Sequence, residues 1–149
     1  MHLLPILLSF LLQMSAPTAP SVNATAISGY WVGENTQDGD GYSSSYEVEM
    51  HLVESKGKVS GKTFVKVDDI FAEMKVAGTF ENGLMLTLKD VEISDIKIKP
   101  GMEWCMKTYV LLLKKQEGEW LLEGHWHGKT SFNTCTPGKV VLRRGVHRA

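Results

Sequence analysis

The sequence predicts an all-β protein, a single eight-stranded antiparallel up-and-down β-barrel. From residue 29 onward, apolar and polar residues alternate with a period of two. Gly, Asn, Asp or Pro interrupts this alternation about every ten residues, which is the spacing of strands joined by hairpins. No segment has a convincing helical period. A β-sandwich is the alternative fold.

Short turns separate the predicted strands. The strands cover residues 30–34, 46–54, 58–67, 70–80, 84–93, 105–115, 119–128 and 139–144. The turns between them contain pairs such as Lys56-Gly57, Asp68-Asp69 and Asn82-Gly83, whose residues tolerate positive φ or cap a tight turn. Short hairpins predict antiparallel neighbours. The stretch 91–102 either forms the longest irregular connection or extends the fifth strand.

The second predicted strand shows most clearly that each strand has one apolar face and one polar face. Its apolar residues Tyr46, Val48, Met50 and Leu52 alternate with the polar residues Glu47, Glu49 and His51. The apolar face must be covered by another layer, and with no helix predicted the sheet must pack on another sheet or close on itself. Eight strands in a meander favour closure, because closure also removes exposed edges.

Length and charge limit the classes of function. A chain of 149 residues with 43% hydrophobic content can form one domain with its own core. Sixteen Lys and Arg residues against seventeen Asp and Glu residues give a net charge of -1, and the basic residues are scattered. We therefore expect no nucleic-acid partner. The outward rows are rich in Lys and Glu, so we do not expect the chain to span a membrane.

The first 26 residues are predicted to be a signal peptide. The uncharged run LLPILLSFLLQM at 3–14 has the length of a signal-peptide core and is too short to cross a bilayer. Small-residue cleavage patterns end at Ala24 and Ala26. Removal near 24–26 leaves a single barrel domain at 27–149, and we expect an exported protein, secreted or periplasmic.

The chain has two cysteines, Cys105 and Cys135. In an oxidising compartment they predict one disulfide rather than a metal site. The meander is consistent with this pairing, because the start of the sixth strand and the loop between the seventh and eighth strands lie at the same end of the barrel.

Two terminal motifs carry a family resemblance. Gly29-Tyr30-Trp31 has the Gly-x-Trp pattern, and the chain closes with Val141-Leu142-Arg143-Arg144. These motifs resemble the first and last strands of the lipocalin and avidin barrels. The resemblance implies that Arg143 or Arg144 packs across Trp31 in a structural cation-π contact. The polar residues that bind biotin in avidin have only a loose counterpart, so biotin binding is not predicted.

The first functional hypothesis is a binding barrel for a small, largely apolar molecule. Aromatic and flexible apolar side chains with a few polar groups are typical of small-molecule sites in barrel mouths. The predicted ligand-binding residues are Tyr42, Ser44, Tyr46, Met50, Met74, Trp120 and Trp126. Trp120 and Trp126 belong to the predicted inward row of the seventh strand. No cofactor is expected.

The second hypothesis is a secreted interaction module that inhibits a hydrolase such as a protease or lysozyme. It would act through a protruding loop at 129–137 or 91–102, and it rests on analogy with the fold alone.

Patterns that suggest other chemistry have simpler explanations. His125 and His127 lie two apart and could share a metal, but they fall on the predicted outward face without a third ligand. The pairs Asp38 with Asp40 and Asp68 with Asp69 lie where Asp is favoured by turn geometry. No nucleophile elbow or nucleotide-binding motif is present, and we expect no enzymatic activity.

Overall fold

The computed structural model describes residues 27–39 and 41–145. The predicted signal peptide, Asp40 and the last four residues of the predicted domain lie outside this part of the chain. Within it the protein is all-β and folds as a closed barrel in the order β1 to β8. The strands are β1 (Gly29–Thr36), β2 (Ser45–Ser55), β3 (Lys58–Val67), β4 (Ile70–Glu81), β5 (Met85–Lys97), β6 (Met106–Gln116), β7 (Glu119–Lys129) and β8 (Gly138–Arg144). None of the described residues belongs to a helix long and apolar enough to cross a membrane.

Four tight connections fix the meander, as the turn residues predict. Lys56, Asp68, Asn82 and Glu117 have φ angles of 51°, 53°, 55° and 51°. The two-residue loop that joins β6 to β7 continues with Gly118 at φ 81°. Two consecutive residues with positive φ match the right-handed twist of antiparallel strands, so such loops join neighbouring strands directly.

Pairing of the first and last strands closes the barrel. β1 pairs antiparallel with β2 and also with β8, where Trp31 lies opposite Arg144 and Asn35 opposite Val140. This closure confirms the predicted barrel and excludes the sandwich. It also pairs the edges of the first and last strands, which would otherwise be open to pairing with other chains.

The inward rows of the strands form one continuous core. On β2 the burial pattern follows the predicted alternation, with Val48, Met50 and Leu52 buried and Glu47, Glu49 and His51 exposed. Large side chains fill the interior, and the largest fully buried ones are Trp31, Trp126, Tyr109, Ile27, Met50, Met74, Leu86, Leu88, Leu111, Leu122, Leu142 and Val48. Most of the barrel interior is therefore packed rather than hollow.

The two ends of the barrel differ. At the end where β1 begins and β8 finishes, which we call the closed end, Trp31 is fully buried and its Nε1 donates a hydrogen bond to the Ile27 carbonyl at 2.9 Å. The Arg144 guanidinium lies 4.4 Å from the centre of the Trp31 ring and donates to the Ser28 carbonyl. Of the two arginines considered from the sequence, Arg144 makes the contact with Trp31, and Arg143 is exposed.

The opposite end, which we call the open end, carries the longer connections. These are residues 37–44 between β1 and β2, residues 98–105 between β5 and β6, and residues 130–137 between β7 and β8. The predicted disulfide is present there and joins Cys105 to Cys135. It ties two of the three long connections together, so the open end has a covalently fixed rim.

Candidate functional site

The pairing of β5 with β6 is incomplete toward the open end. The two strands pair only from Met85 to Lys89 of β5, after which β5 continues along β4 alone as far as Lys97. Two register shifts in the pairing of β4 with β5, which skip Val91 and Ser94, accompany this separation. Such irregularities bend a strand and increase its twist. Residues 98–105 connect the two strands, and residues 101–105 of this connection line a cavity.

The cavity at the open end has a volume of about 500 Å³. This is within the range of about 300–1,000 Å³ that is usual for small-molecule sites. All three long connections and the inner faces of several strands contribute to its wall. The lining residues include Asn35, Gln37, Tyr42, Tyr46, Val65, Ile70, Trp104, Lys107, Trp126, Phe132 and Thr136. We call it the open-end cavity.

A lysine is buried in this wall. Lys107 is only 6% exposed, and its Nζ lies 4.3 Å from the centre of the Trp104 ring and 5.1 Å from that of Trp126. Nζ donates a hydrogen bond to the Cys105 carbonyl at 3.1 Å. Burial lowers the pKa of Lys107 to about 8, against the opposing effect of the Asp90 charge. The two indole faces stabilise the ammonium form by cation-π attraction.

A carboxyl group lies where β5 leaves β6. Asp90 Oδ2 accepts a hydrogen bond from the backbone N–H of Lys107 at 2.8 Å. The backbone of β5 no longer pairs with β6 at this point, so the Asp90 side chain supplies the acceptor that this N–H needs. Asp90 Oδ1 is buried without a hydrogen-bond partner among the described residues. Burial raises the pKa of Asp90 to about 6, although the hydrogen bond from the Lys107 backbone and the Lys107 charge both oppose this rise.

The raised pKa of Asp90 predicts a pH dependence of stability. As the pH rises from about 4 to about 6, the unfolded carboxyl ionises while the folded one keeps its proton, so the free energy of unfolding falls. Asp90→Asn removes the ionisable carboxyl group, so we expect it to remove up to about 3 kcal/mol of this fall. Its amide oxygen can still accept the hydrogen bond from the Lys107 N–H. Urea unfolding of both proteins across this interval measures the difference. Parallel pH profiles would contradict the prediction.

Two further polar groups in the wall lack partners. Asn35 is 0% exposed, yet neither Nδ2 nor Oδ1 has a hydrogen-bond partner among the described residues. Trp104 Nε1 is also buried without a partner there. By contrast, Trp126 Nε1 donates to the Thr36 carbonyl at 2.9 Å. Because buried polar groups in native proteins are almost always paired, the wall has an unusual amount of unused hydrogen-bonding capacity.

No model of a known protein family and no curated protein matches the chain. Its function is therefore inferred from the geometry and chemistry of the site.

The structure brings together three of the seven predicted ligand-binding residues. Tyr42, Tyr46 and Trp126 line the open-end cavity. Ser44 is exposed beside it, and its carbonyl accepts a hydrogen bond from the Gln37 backbone at 3.0 Å.

The other three predicted ligand-binding residues lie elsewhere. Met50 and Met74 are fully buried in the packed core and do not line the cavity. Trp120 is near the closed end, at the start of β7, where it is 39% exposed and Lys115 Nζ lies 5.4 Å from its ring. Strand alternation predicts the face of the sheet to which a residue belongs, but not its depth along the barrel.

Asn35, Asp90, Lys107 and Trp104, whose polar groups were described above, were not among the predicted ligand-binding residues. Asn35, Asp90 and Lys107 share the inward rows of Trp31, Leu88 and Tyr109, respectively. A polar residue in an otherwise apolar inward row is a signal that the sequence contains, and it could have identified all three. Trp104 lies outside the strands, in the connection 98–105 between β5 and β6, so strand alternation could not predict which way it faces.

The remaining candidates lie outside the cavity. His125 and His127 are exposed on β7, and the described residues contain no group of three metal-binding side chains that could hold an ion. Asp68 lies in the turn between β3 and β4, where its Oδ2 accepts a hydrogen bond from the Tyr42 hydroxyl at 3.3 Å. Asp69 forms a distant ion pair with Lys97 at 3.9 Å. Asp38 is exposed, and its predicted partner Asp40 lies outside the described residues.

Proposed function

We propose that the protein is a small-molecule-binding β-barrel that holds its ligand in the open-end cavity. The observation that carries the proposal is Asn35, whose amide is completely buried in the cavity wall with no partner for either polar atom. An unpaired buried amide costs stability, at about 1–3 kcal/mol per unsatisfied group. A ligand that hydrogen-bonds to the amide would offset this cost.

The ligand is expected to be amphipathic. The cavity offers apolar and aromatic surface on Val65, Ile70 and Trp126, beside the polar groups of Asn35 and Lys107. The polar groups give orientation and specificity, and the apolar walls supply most of the contact area. The proposal assigns binding rather than catalysis to this site. The disulfide is compatible with an extracellular or periplasmic location, and we propose that the barrel is exported.

Replacement of Asn35 by valine is predicted to separate stability from binding. Asn35→Val should raise the free energy of unfolding of the ligand-free protein by about 1–2 kcal/mol, because two unsatisfied polar atoms leave the interior. Urea unfolding measures this change. Gln37→Val is the matched control, since the Gln37 amide is already partnered through its bond to the Thr136 carbonyl at 3.3 Å. A destabilised Asn35→Val protein would contradict the prediction.

Native mass spectrometry of protein purified from its own kind of cell tests the proposal. We expect an added mass that leaves on denaturation, and we expect Asn35→Val to lose that mass while Gln37→Val keeps at least part of it. Protein that carries no added mass, and that gains none when incubated with an extract of small molecules from the same cells, would contradict a carrier function.

A secreted inhibitor of a hydrolase is the second candidate function, and Phe132 favours it. Phe132 is 82% exposed in the loop 130–137, which the disulfide anchors at Cys135. Thr130 Oγ1 accepts hydrogen bonds from the backbone N–H groups of Phe132 and Asn133 at 3.3 and 3.0 Å, which shapes the loop locally. A large apolar side chain on a held loop is typical of residues that anchor protein interfaces.

Substitution of Phe132 tests the inhibitor function. If the protein inhibits a protease or lysozyme, Phe132→Ser should abolish inhibition and change the free energy of unfolding by less than about 0.5 kcal/mol, as for other surface positions. Activity assays of a panel of both enzyme classes, with and without the protein, measure the effect. Equal inhibition by both forms would exclude this loop as the contact.

A further inference from the structure

The Lys107 ammonium is a buried cation without a carboxylate beside it. Among the described residues, no carboxylate oxygen comes within 4.0 Å of its Nζ. The neighbouring Asp90 uses Oδ2 to accept the Lys107 backbone N–H instead. One carbonyl and two indole faces are the partners that Nζ has. Buried charges in proteins are normally paired directly, whereas the Asp90 charge acts on Nζ only from beyond ion-pair distance, so Nζ has no anion in direct contact.

Among the residues that the structure describes, the cavity wall has unused donors as well as one unused acceptor, Asn35 Oδ1. Asn35 Nδ2 and Trp104 Nε1 have no acceptor among the described residues. An ammonium group offers three donors, and a single hydrogen bond, to the Cys105 carbonyl, is present at Lys107 Nζ. Spare donors beside a cation that has no anion in direct contact favour a ligand whose acceptor atoms carry negative charge.

We propose that the ligand of the open-end cavity carries a carboxylate that pairs with Lys107 Nζ, an inference that rests on the proposed function. A carboxylate has two acceptor oxygens, so it can bind the ammonium and still accept from a second donor of the wall. It carries one negative charge, which matches Lys107, the one buried cation among the described residues. The cation-π contacts hold Nζ in place before the ligand arrives, and such preorganisation lowers the cost of binding.

The rest of the ligand is an apolar or aromatic body. Trp126, Tyr46, Val65 and Ile70 line the same cavity, and Phe132 lies at its mouth. This surface fits a flat ring or a hydrocarbon chain better than a sugar, whose hydroxyl groups would need many more partners. The ligand class is therefore an amphipathic monocarboxylate.

Calorimetric titration with matched pairs of probes tests this inference. The pairs are cinnamate with cinnamamide and decanoate with decanamide, which differ only in the charged group. We expect the wild-type protein to bind the carboxylate of at least one pair about tenfold more tightly, or better, than the amide, as hydrogen bonds to charged groups imply. In Lys107→Met this preference for the carboxylate over the amide should disappear.

Two variants serve as controls. Lys115→Met removes the lysine whose Nζ lies 5.4 Å from the Trp120 ring, a lysine-tryptophan contact of similar kind outside the cavity, and it should leave the preference unchanged. Lys107→Arg keeps the positive charge and should keep a preference for the carboxylate. If Lys107→Met does not fold, the ratio of carboxylate affinity to amide affinity, measured for the wild-type protein and for Lys107→Arg, decides the outcome.

The outcomes distinguish this inference from the proposed function. Equal binding of carboxylates and amides by the wild-type protein would overturn the carboxylate inference and leave the small-molecule function standing. A preference that persists in Lys107→Met would overturn the role of Lys107. If neither member of either pair binds, the carboxylate inference fails, and an added mass in the native spectrum still decides the proposed function independently.

Discussion

We expect Trp31→Ala to lower the free energy of unfolding by about 3–5 kcal/mol, the usual cost of removing a large aromatic side chain from a core. Trp31 is 0% exposed and closes one end of the barrel. The substitution removes the ring, its hydrogen bond to the Ile27 carbonyl and the surface on which the Arg144 guanidinium rests. Such a loss is a large fraction of the roughly 5–15 kcal/mol that stabilises a typical domain.

Two comparisons make this prediction specific to the closed end. Trp31→Phe keeps an aromatic face for Arg144 and loses the indole hydrogen bond, so it should cost less than Trp31→Ala. Trp120→Ala removes the same type of side chain from a 39% exposed position and should cost less than about 1 kcal/mol. Urea unfolding measures all three. Equal losses for Trp31→Ala and Trp120→Ala would contradict the assigned role.

Replacement of both Cys105 and Cys135 by serine should lower the free energy of unfolding by about 3–4 kcal/mol. The disulfide closes a loop with a sequence separation of 30, and restricting a loop of that length in the unfolded chain has about this effect on the chain-entropy model. We also expect weaker ligand binding. The bridge fixes Cys105, whose carbonyl accepts the hydrogen bond from Lys107 Nζ, and it holds the loop 130–137 at the cavity.

The reduced wild-type protein is the control for this variant. Its unfolding curve should coincide with that of the serine variant, because both lack the covalent link. An oxidised wild-type protein no more stable than its reduced form would show that the bridge does not constrain the unfolded chain.

Most of the fold could be predicted from local sequence, because strands and tight turns depend on neighbouring residues. Positive φ at Lys56 and Asn82 marks connections that the turn residues had indicated, and the buried row of β2 follows its alternation. The end of β5 is less regular. The sequence left residues 91–102 open, as an irregular connection or as an extension of the fifth strand, and the strand in fact extends to Lys97 with register shifts at Val91 and Ser94.

Less of the candidate site could be predicted, because the site depends on position along the barrel axis. Met50 and Trp126 belong to inward rows alike, but Met50 lies in the packed core and Trp126 lines the cavity. The cavity is lined by three separate connections and the inner faces of several strands, and no local pattern predicts which of these residues meet. The polar residues Asn35 and Lys107 in apolar rows are the informative exceptions, since a buried polar residue is often functional.

The indole N–H signals of the four tryptophans test the central claim, that a ligand binds in the open-end cavity. We would titrate nitrogen-labelled protein with decanoate and follow the proton–nitrogen correlation spectrum. The Trp104 signal should shift most, because its Nε1 lacks a partner in the cavity wall, and the Trp126 signal should shift less. Trp31 and the partly exposed Trp120, both at the closed end, should not move. Shifts at Trp120 or Trp31 with an unchanged Trp104 signal would place binding elsewhere and contradict the account.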